Sequence, residues 1–226
     1  MMKRRKIVVF DLDDTLYKEV DFVKSAFRYI SQRLSDVNQT IEQENVYDIL
    51  WHSFLQKDKD TFGVLIHRCE LNRCTKTELL EWYRYHKPTI QLETDIKETL
   101  DLLKGRVVMG VISDGRKETQ MNKIEALGLK EFIEEDDIVI NETVDTFKPD
   151  KKSFLKFVEK YGRDNDFYYV GDNTEKDFVA ANALGWTTIC LLDNGRNIHK
   201  QNDQLESLAL PEHFIYSMKK LLLLLL

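Results

Sequence analysis

The chain has 226 residues, of which 42% are hydrophobic and 32% are charged, and its formal net charge is −6. This composition is typical of a folded protein with one sizeable domain, or with a core domain and a smaller inserted one. The negative charge argues against nucleic-acid binding, which favours a basic surface. A small anionic substrate is compatible with it, because a site can be locally positive on an acidic protein.

Three cysteines cannot all pair with one another, which favours a reduced, intracellular protein. The first apolar run, Ile7–Phe10, is too short for a signal peptide, and no run is long enough to cross a bilayer. We therefore expect a cytoplasmic protein without a membrane span. We expect the six leucines Leu221–Leu226 to close the last helix, with a role in an interface or a non-native origin as the alternatives.

Short apolar runs alternate with helical patterns along most of the chain. Five runs are predicted to be buried strands: Ile7–Phe10, Val107–Ile112, Ile138–Ile140, Phe167–Val170 and Ile189–Leu192. Between them, apolar residues recur at helical spacing, as at Ile96, Leu100 and Leu103. Strands that are apolar on both faces and alternate with helices predict an α/β fold with a mainly parallel sheet.

One segment interrupts this alternation. From about Tyr17 to Pro88 the pattern is helical, without a convincing strand. Its first helix is indicated by a sustained apolar stripe of Val20, Val23, Phe27, Ile30 and Leu34. We therefore expect a catalytic core formed by residues 1–16 and 90–226, with a helical domain, residues 17–89, inserted after the first strand.

Clustered carboxylates follow two of the predicted strands. Asp11 and Asp13 come directly after the first strand, and Asp172 and Asp177 come after the strand Phe167–Val170. The carboxyl ends of parallel strands are where ligands bind, and carboxylate oxygens from different strands are ligands that Mg²⁺ selects. The alternatives are a polar turn at the first cluster and, for Asp177, a carboxylate in the first turn of a helix.

Two further segments suggest a phosphate site. Ser113 and Asp114 end the second predicted strand, and a hydroxyl with backbone N–H groups at a helix start can hold phosphate oxygens. The same residues also make ordinary helix N-caps. Lys148 can offset charge on a phosphoryl group, although a lysine taken alone is more often a surface residue.

Together, and in this order, these segments resemble the four motifs of the haloacid dehalogenase superfamily of phosphohydrolases. The segment Asp11–Leu16 is similar to the first motif, Ser113 to the second, Lys148-Pro149 to the third, and Gly171-Asp172 with Asp177 to the fourth. The resemblance covers residues 6–17 and 90–216 and implies a Rossmann-like three-layer core. The helical insertion lies where the family's type-1 cap does, as in the phosphoglycolate phosphatase-like subfamily.

The resemblance also implies roles for individual residues. Asp11 would be the nucleophile, and Asp13 would protonate the leaving oxygen and later take a proton from water. The ligands of Mg²⁺ would be Asp11, the backbone carbonyl of Asp13, and Asp172, with Asp177 orienting them from behind. The phosphoryl group would be stabilised by Ser113, Asp114 with the neighbouring backbone amides, and Lys148. The cap would exclude water and select the leaving group.

The expected function is therefore Mg²⁺-dependent hydrolysis of a small phosphate monoester, such as a sugar phosphate, a nucleotide or an organic-acid phosphate. Asp13 argues against a dehalogenase, because a departing halide needs no proton. The alternatives are a phosphomutase of the same family and a non-catalytic binding or regulatory protein on this fold. The sequence does not assign the substrate, the oligomeric state or the roles of Asp114, Arg116, Asn173 and Lys176. Three of these four residues, Asp114, Asn173 and Lys176, depart from the family's common pattern.

Overall fold

A computed structural model describes residues 4–38, 40–202 and 207–226 of the chain. The chain divides into two compact units. One unit runs up to Val20 and resumes at Gln91, and the other covers Asp21–Ile90. The first unit contains the sheet and the second is helical.

The sheet has six strands: β1 (Lys6–Phe10), β2 (Val108–Ser113), β3 (Ile138–Ile140), β4 (Asp166–Gly171), β5 (Thr187–Leu191) and β6 (His213–Ile215). Their order is β3-β2-β1-β4-β5-β6, and every neighbouring pair is parallel. The central strand β1 is buried from Ile7 to Phe10, as expected of a strand covered by helices on both faces. The predicted α/β class with a mainly parallel sheet is confirmed.

The α-helices are α1 (Glu19–Val37), α2 (Gln43–Leu55), α3 (Thr61–Arg68), α4 (Lys76–Tyr85), α5 (Thr94–Leu103), α6 (Lys117–Ala126), α7 (Lys152–Tyr161), α8 (Asp177–Ala183) and α9 (Leu222–Leu225). In the sheet unit, α6 follows β2 and α8 follows β4, so that each helix begins close to the carboxyl end of its strand. This connection places the residues between strand and helix at one edge of the sheet.

An aromatic cluster packs against one face of the sheet. Trp186 stacks on Phe167 with ring centroids 4.8 Å apart and meets Phe154 edge-to-face at 5.4 Å. Phe154 in turn lies 4.9 Å from the ring of Tyr169 on β4. Such aromatic pairs each add about 0.5–1.5 kcal/mol beyond the area they bury. The cluster therefore fixes α7 and β4 beneath the carboxyl edge of the sheet.

The helical unit has an aromatic core of its own. Phe27 lies 6.2 Å from Phe54, and Phe22 meets Tyr83 edge-to-face at 5.5 Å. Helix α4 begins with a capping box, in which Thr75 and Glu78 satisfy each other's backbone N–H groups. Between Asp21 and Ile90, the described residues form no β-strand. The ring contacts thus form a core within the helical unit itself.

The leucine run ends the chain in a short helix. Leu221 and Leu225 are buried, whereas Leu223 and Leu226 are exposed. Lys6 Nζ donates a hydrogen bond of 2.6 Å to the carbonyl oxygen of Leu225, which ties this end to the start of β1. In the part of the chain that the structure describes, no helix is both long and apolar enough to span a bilayer.

Gly110 lies in the middle of β2, where the neighbouring residues leave no room for a side chain. A Cβ atom at this position would overlap the ring of Phe157 and lie 3.0 Å from the carbonyl oxygen of Asp137. We expect Gly110→Ala to lower the free energy of unfolding by about 1–3 kcal/mol, as overpacking of a core does. Urea denaturation of the variant measures this loss.

The double variant Gly110→Ala/Phe157→Leu provides the control, because the smaller side chain relieves the overlap. We expect it to lose less stability than the sum of the two single variants. Additive losses would show that Phe157 is not the obstacle.

Candidate active site

Three adjacent strands end at one place. Asp11 follows β1, Ser113 ends β2 and Asp172 follows β4, and the sheet order puts β2 and β4 on either side of β1. The backbone N–H of Asp11 donates to the carbonyl oxygen of Val170 at 2.8 Å, which continues the β1–β4 pairing into the site. Asp11, Ser113 and Asp172 are all buried. The structure therefore brings together the residues that the sequence placed at separate strand ends.

A buried acidic cluster lies at this edge. One carboxylate oxygen each from Asp11, Asp172 and Asp177 lies within 4.8 Å of the others. The ammonium group of Lys148 contacts Asp11 Oδ1, donates to Asp177 Oδ1 at 2.7 Å and lies 3.2 Å from the hydroxyl of Tyr169. These three partners match the three N–H groups of the lysine. One buried ammonium group thus pairs with two of the three carboxylates of the cluster.

The pKa values reflect this imbalance. Burial, together with the charges of Asp177 and Asp11, raises the pKa of Asp172 to about 9. Burial also raises the pKa of Asp11 to about 7, against the opposing pull of Lys148. Burial alone would lower the pKa of Lys148, but Asp11 and Asp177 outweigh it and raise that pKa well above its ordinary value. The lysine therefore stays charged, and the carboxylates lack enough positive charge to ionise together.

A hard divalent cation fits this cluster. Its potential ligands are carboxylate oxygens only, which suit Mg²⁺ better than metals that prefer nitrogen or sulfur. A cation would also stabilise buried carboxylates that the single lysine cannot compensate. Asp13 lies two residues beyond Asp11, and its backbone carbonyl is the further oxygen ligand that we predicted from the sequence.

Asp177 shapes the loop that carries Asp172. Its Oδ2 accepts hydrogen bonds from the backbone N–H groups of Asp172 at 3.2 Å and Asn173 at 2.9 Å. Gly171 permits this approach, because a Cβ atom there would lie only 2.5 Å from the same oxygen. Asp177 is the first residue of α8, where a carboxylate is favoured by the helix dipole. Both of its oxygens are thus used in holding neighbouring groups.

Asp172 is held by donors that the motifs do not contain. Asn197 Nδ2 donates to its Oδ2 at 2.9 Å, and Gln201 Nε2 donates to its carbonyl oxygen at 2.8 Å. Lys18 Nζ in turn donates to Asn197 Oδ1 at 2.6 Å. Within the motif, Thr15 Oγ1 lies 3.3 Å from Asp172 Oδ1. The loop after β5 therefore completes the surroundings of the acidic cluster.

Asp14 holds the turn after β1. Its φ of 57° lies in the left-handed region, which Asp tolerates better than most residues. Its carboxylate accepts hydrogen bonds of 2.9 Å from the backbone N–H groups of Glu19 and Ile198. The third aspartate of the first motif thus braces the loop rather than facing the acidic cluster.

Asp13 has surroundings of a different kind. Its Oδ1 accepts from Lys123 Nζ at 2.7 Å and from the hydroxyl of Tyr17, and its Oδ2 accepts from Gln120 Nε2 at 2.8 Å. Burial alone would raise the pKa of Asp13, but these donors, with Lys123 foremost, lower it. Two carboxylates two residues apart thus have pKa values displaced in opposite directions, which is typical of groups with different chemical roles.

Ser113 and Asp114 precede the start of α6, as the phosphate-site prediction requires. The carboxylate of Asp114, however, is surrounded by protein donors: Asn141 Nδ2 at 2.6 Å, the backbone N–H of Lys148 at 3.1 Å and Lys176 Nζ at 2.9 Å. Burial alone would raise the pKa of this carboxyl, but Lys148 and Lys176 lower it. The side chain of Asp114 thus braces three loops, and its backbone amide is the group left for an anion.

The remaining unassigned residues have plain surroundings. Lys176 pairs with Asp114, so that two of the departures from the family's common pattern compensate each other's charge. Asn173 Oδ1 accepts from the backbone N–H of Glu175 at 3.0 Å and closes the turn before α8. Arg116 is exposed at the start of α6.

Comparisons with known proteins agree with this geometry. The model of the haloacid dehalogenase-like hydrolase family matches residues 8–191. Glyceraldehyde 3-phosphate phosphatase of Methanocaldococcus jannaschii is 29% identical over 197 residues, which cover 83% of this chain and 85% of that protein. The phosphatase of the same name from Methanopyrus kandleri is 26% identical over 194 residues, covering 81% and 82%.

Among solved structures, the magnesium-bound HAD-hydrolase YfnB of Bacillus subtilis is similar in fold. Its TM-score is 0.66 at 20% sequence identity, with 99% of each chain covered.

The raised pKa values predict how a cation acts on stability. We expect saturating Mg²⁺ to add about 2.7 kcal/mol at a hundred times its Kd, which is about 5–10 °C in Tm for a protein of this size. At one fixed Mg²⁺ concentration the increase should be larger at pH 8 than at pH 6, because the cation must displace protons from Asp11 and Asp172 and its apparent Kd is therefore higher at pH 6. Without a cation, the free energy of unfolding depends on pH in the opposite direction. Protonation of the two carboxyl groups favours the folded state, because their pKa values are raised there. Stability is therefore lost as the pH rises through the folded pKa values, about 7 for Asp11 and about 9 for Asp172.

Thermal unfolding with and without Mg²⁺ at both pH values measures these effects, with NaCl of equal ionic strength as the control. Asp172→Asn should lose most of the Mg²⁺-dependent increase. An unchanged increase in that variant would contradict binding at the acidic cluster.

Proposed function

Because the chain belongs to the haloacid dehalogenase-like hydrolase family, we propose that it is a Mg²⁺-dependent phosphatase that hydrolyses a small sugar phosphate through an aspartyl phosphate on Asp11. The observation that carries this proposal is the contrast between two neighbouring carboxylates. Asp11 lies in the cluster with Asp172 and Lys148, where a cation fits, whereas Asp13 is held by donors of its own. A nucleophile and a separate acid/base are the two groups that such a reaction needs.

The substrate class is supported by the two related phosphatases, which share more than four-fifths of their length with this chain and are named for glyceraldehyde 3-phosphate. Their names favour a small sugar phosphate over a nucleotide or an organic-acid phosphate.

In the first step, a carboxylate oxygen of Asp11 attacks phosphorus. The new bond joins that oxygen to phosphorus, and the bond between phosphorus and the sugar oxygen breaks. The sugar oxygen keeps the bonding electrons and takes a proton from Asp13, so that the sugar leaves as an alcohol. Since its donors favour the ionised form of Asp13, this proton arrives with the substrate phosphate, whose second pKa is about 6.

In the second step, water attacks the aspartyl phosphate and gives a proton to Asp13. Inorganic phosphate leaves, and the carboxylate of Asp11 is restored. A single aspartate thus acts as acid in one step and as base in the next.

The remaining residues lower the charge barrier. Asp11, Asp172 and the carbonyl of Asp13 would hold Mg²⁺, whose positive charge would reduce the repulsion between the nucleophile and the anionic phosphate. Lys148 keeps a fixed positive charge against Asp11. Ser113 and the backbone amide of Asp114 donate hydrogen bonds to the phosphoryl oxygens. Asp177 keeps Asp172 and Lys148 in place, which makes it a positioning residue.

The experiment is phosphate release from a panel of triose, pentose and hexose phosphates and nucleoside monophosphates, with Mg²⁺. We expect Asp11→Asn to lower kcat at least about 10³-fold, because the amide is a poor nucleophile. Asp101→Asn, at an exposed position of α5, is the matched control and should match the wild type. The panel's ranking identifies the substrate class, with triose phosphates expected among the best.

Equal activity of Asp11→Asn and Asp101→Asn would contradict the proposal. Asp11-dependent transfer to a sugar acceptor instead of water would favour the phosphomutase alternative.

A further inference from the structure

Three side chains donate hydrogen bonds to the carboxylate of Asp13, and none of them belongs to the family motifs. Lys123 Nζ and the hydroxyl of Tyr17 both reach Oδ1, and Gln120 Nε2 reaches Oδ2. A carboxylate oxygen accepts about two hydrogen bonds, so Oδ1 is saturated while Oδ2 keeps one free position. The donors therefore select which oxygen is available to exchange a proton.

The orientation of Gln120 is fixed by its neighbours. Its Nε2 lies 2.8 Å from Asp13 Oδ2 and 2.5 Å from the carbonyl oxygen of Asp114, both of which only accept. A flipped amide would place an oxygen against these acceptors. Nε2 also lies 2.7 Å from Ser113 Oγ, so that Gln120 touches both the acid/base and the phosphate site.

Two of the donors come from one helix of the sheet unit. Gln120 and Lys123 are three residues apart on α6 and share one face of the helix, with only 2% and 3% of their surfaces exposed. Lys123 Nζ also lies 5.9 Å from the ring of Tyr17, within the range of a cation–π contact. Buried polar side chains on a helix are costly unless paired, and both of these side chains pair with Asp13.

We propose that Lys123, Gln120 and Tyr17 are positioning residues that hold the Asp13 carboxylate with Oδ2 directed to the leaving-group oxygen. This inference rests on the proposed function and deepens it. The proton bound to Oδ2 moves to the sugar oxygen as the bond between phosphorus and that oxygen breaks, and Oδ2 takes a proton from the attacking water in the second step. Without the three donors the carboxylate can rotate, and the oxygen that exchanges the proton is no longer fixed.

The test compares a substrate that needs a proton on its leaving group with one that does not. The sugar phosphate with the highest kcat/KM in the panel has an alcohol leaving group, whereas p-nitrophenyl phosphate releases a stable anion. We expect Tyr17→Phe and Lys123→Met to lower kcat/KM for the sugar phosphate by about 10–10² fold and by about 10²–10³ fold, respectively, since a misplaced acid loses most of its effect. For p-nitrophenyl phosphate the loss should stay below about fivefold by the same reasoning. Lys123→Arg should recover part of the loss, because it keeps a cationic donor.

Tyr168→Phe on β4 is the matched control, since the charges that act on that hydroxyl, Asp166 and Glu212, do not belong to the acidic cluster. This variant should have the same kcat/KM as the wild type for both substrates. Tyr17→Phe keeps the ring and so tests the inference even if Lys123→Met fails to fold.

Equal losses on both substrates, or no loss on the sugar phosphate, would overturn the inference and leave the proposed function standing. If the wild type released no more phosphate than Asp11→Asn, the proposed function itself would be contradicted, and the inference with it.

Discussion

Three buried carboxylates, those of Asp11, Asp172 and Asp177, lie together at the carboxyl edge of the sheet, and the ammonium group of Lys148 pairs with two of them, Asp11 and Asp177. Removing charges from water costs several kcal/mol for each ion unless partners replace the lost solvation. The protein supplies such partners to Asp177 through backbone N–H groups and to Asp172 through Asn197. What remains is an excess of negative charge at the carboxyl edge of the sheet. A divalent cation balances it, and this requirement connects the strand order, the loops and the proposed chemistry.

Much of the fold and the acidic cluster could be predicted from the sequence, for a physical reason. Strands buried on both faces appear as short apolar runs, and the first polar residues after them must lie at the carboxyl edge. Asp11, Ser113 and Asp172 follow three such runs, and adjacent strands bring them together. Lys148 has no such signal by itself, and only its order among the motifs indicated its place.

Other parts of the site depend on long-range packing that leaves no local pattern. Gln120 and Lys123 are polar, so the sequence indicates surface residues of a helix. Their spacing shows that they share one face of that helix, but it does not show which part of the protein packs against this face. Asn197 comes from a loop without regular spacing. Asp114 was expected at the phosphate, yet its carboxylate is taken up by Asn141 and Lys176, which are distant in sequence. The role of each of these residues depends on a partner from another part of the chain.

The central claim is that Asp11 becomes phosphorylated during turnover. The most direct measurement is mass spectrometry of the protein quenched in acid within milliseconds of mixing with Mg²⁺ and the best sugar phosphate of the panel. We expect one phosphoryl group on the peptide that contains Asp11, transient in the wild type and absent from Asp11→Asn. A wild-type enzyme that turns over the substrate without a phosphorylated peptide, or that carries the group on another residue, would contradict the account.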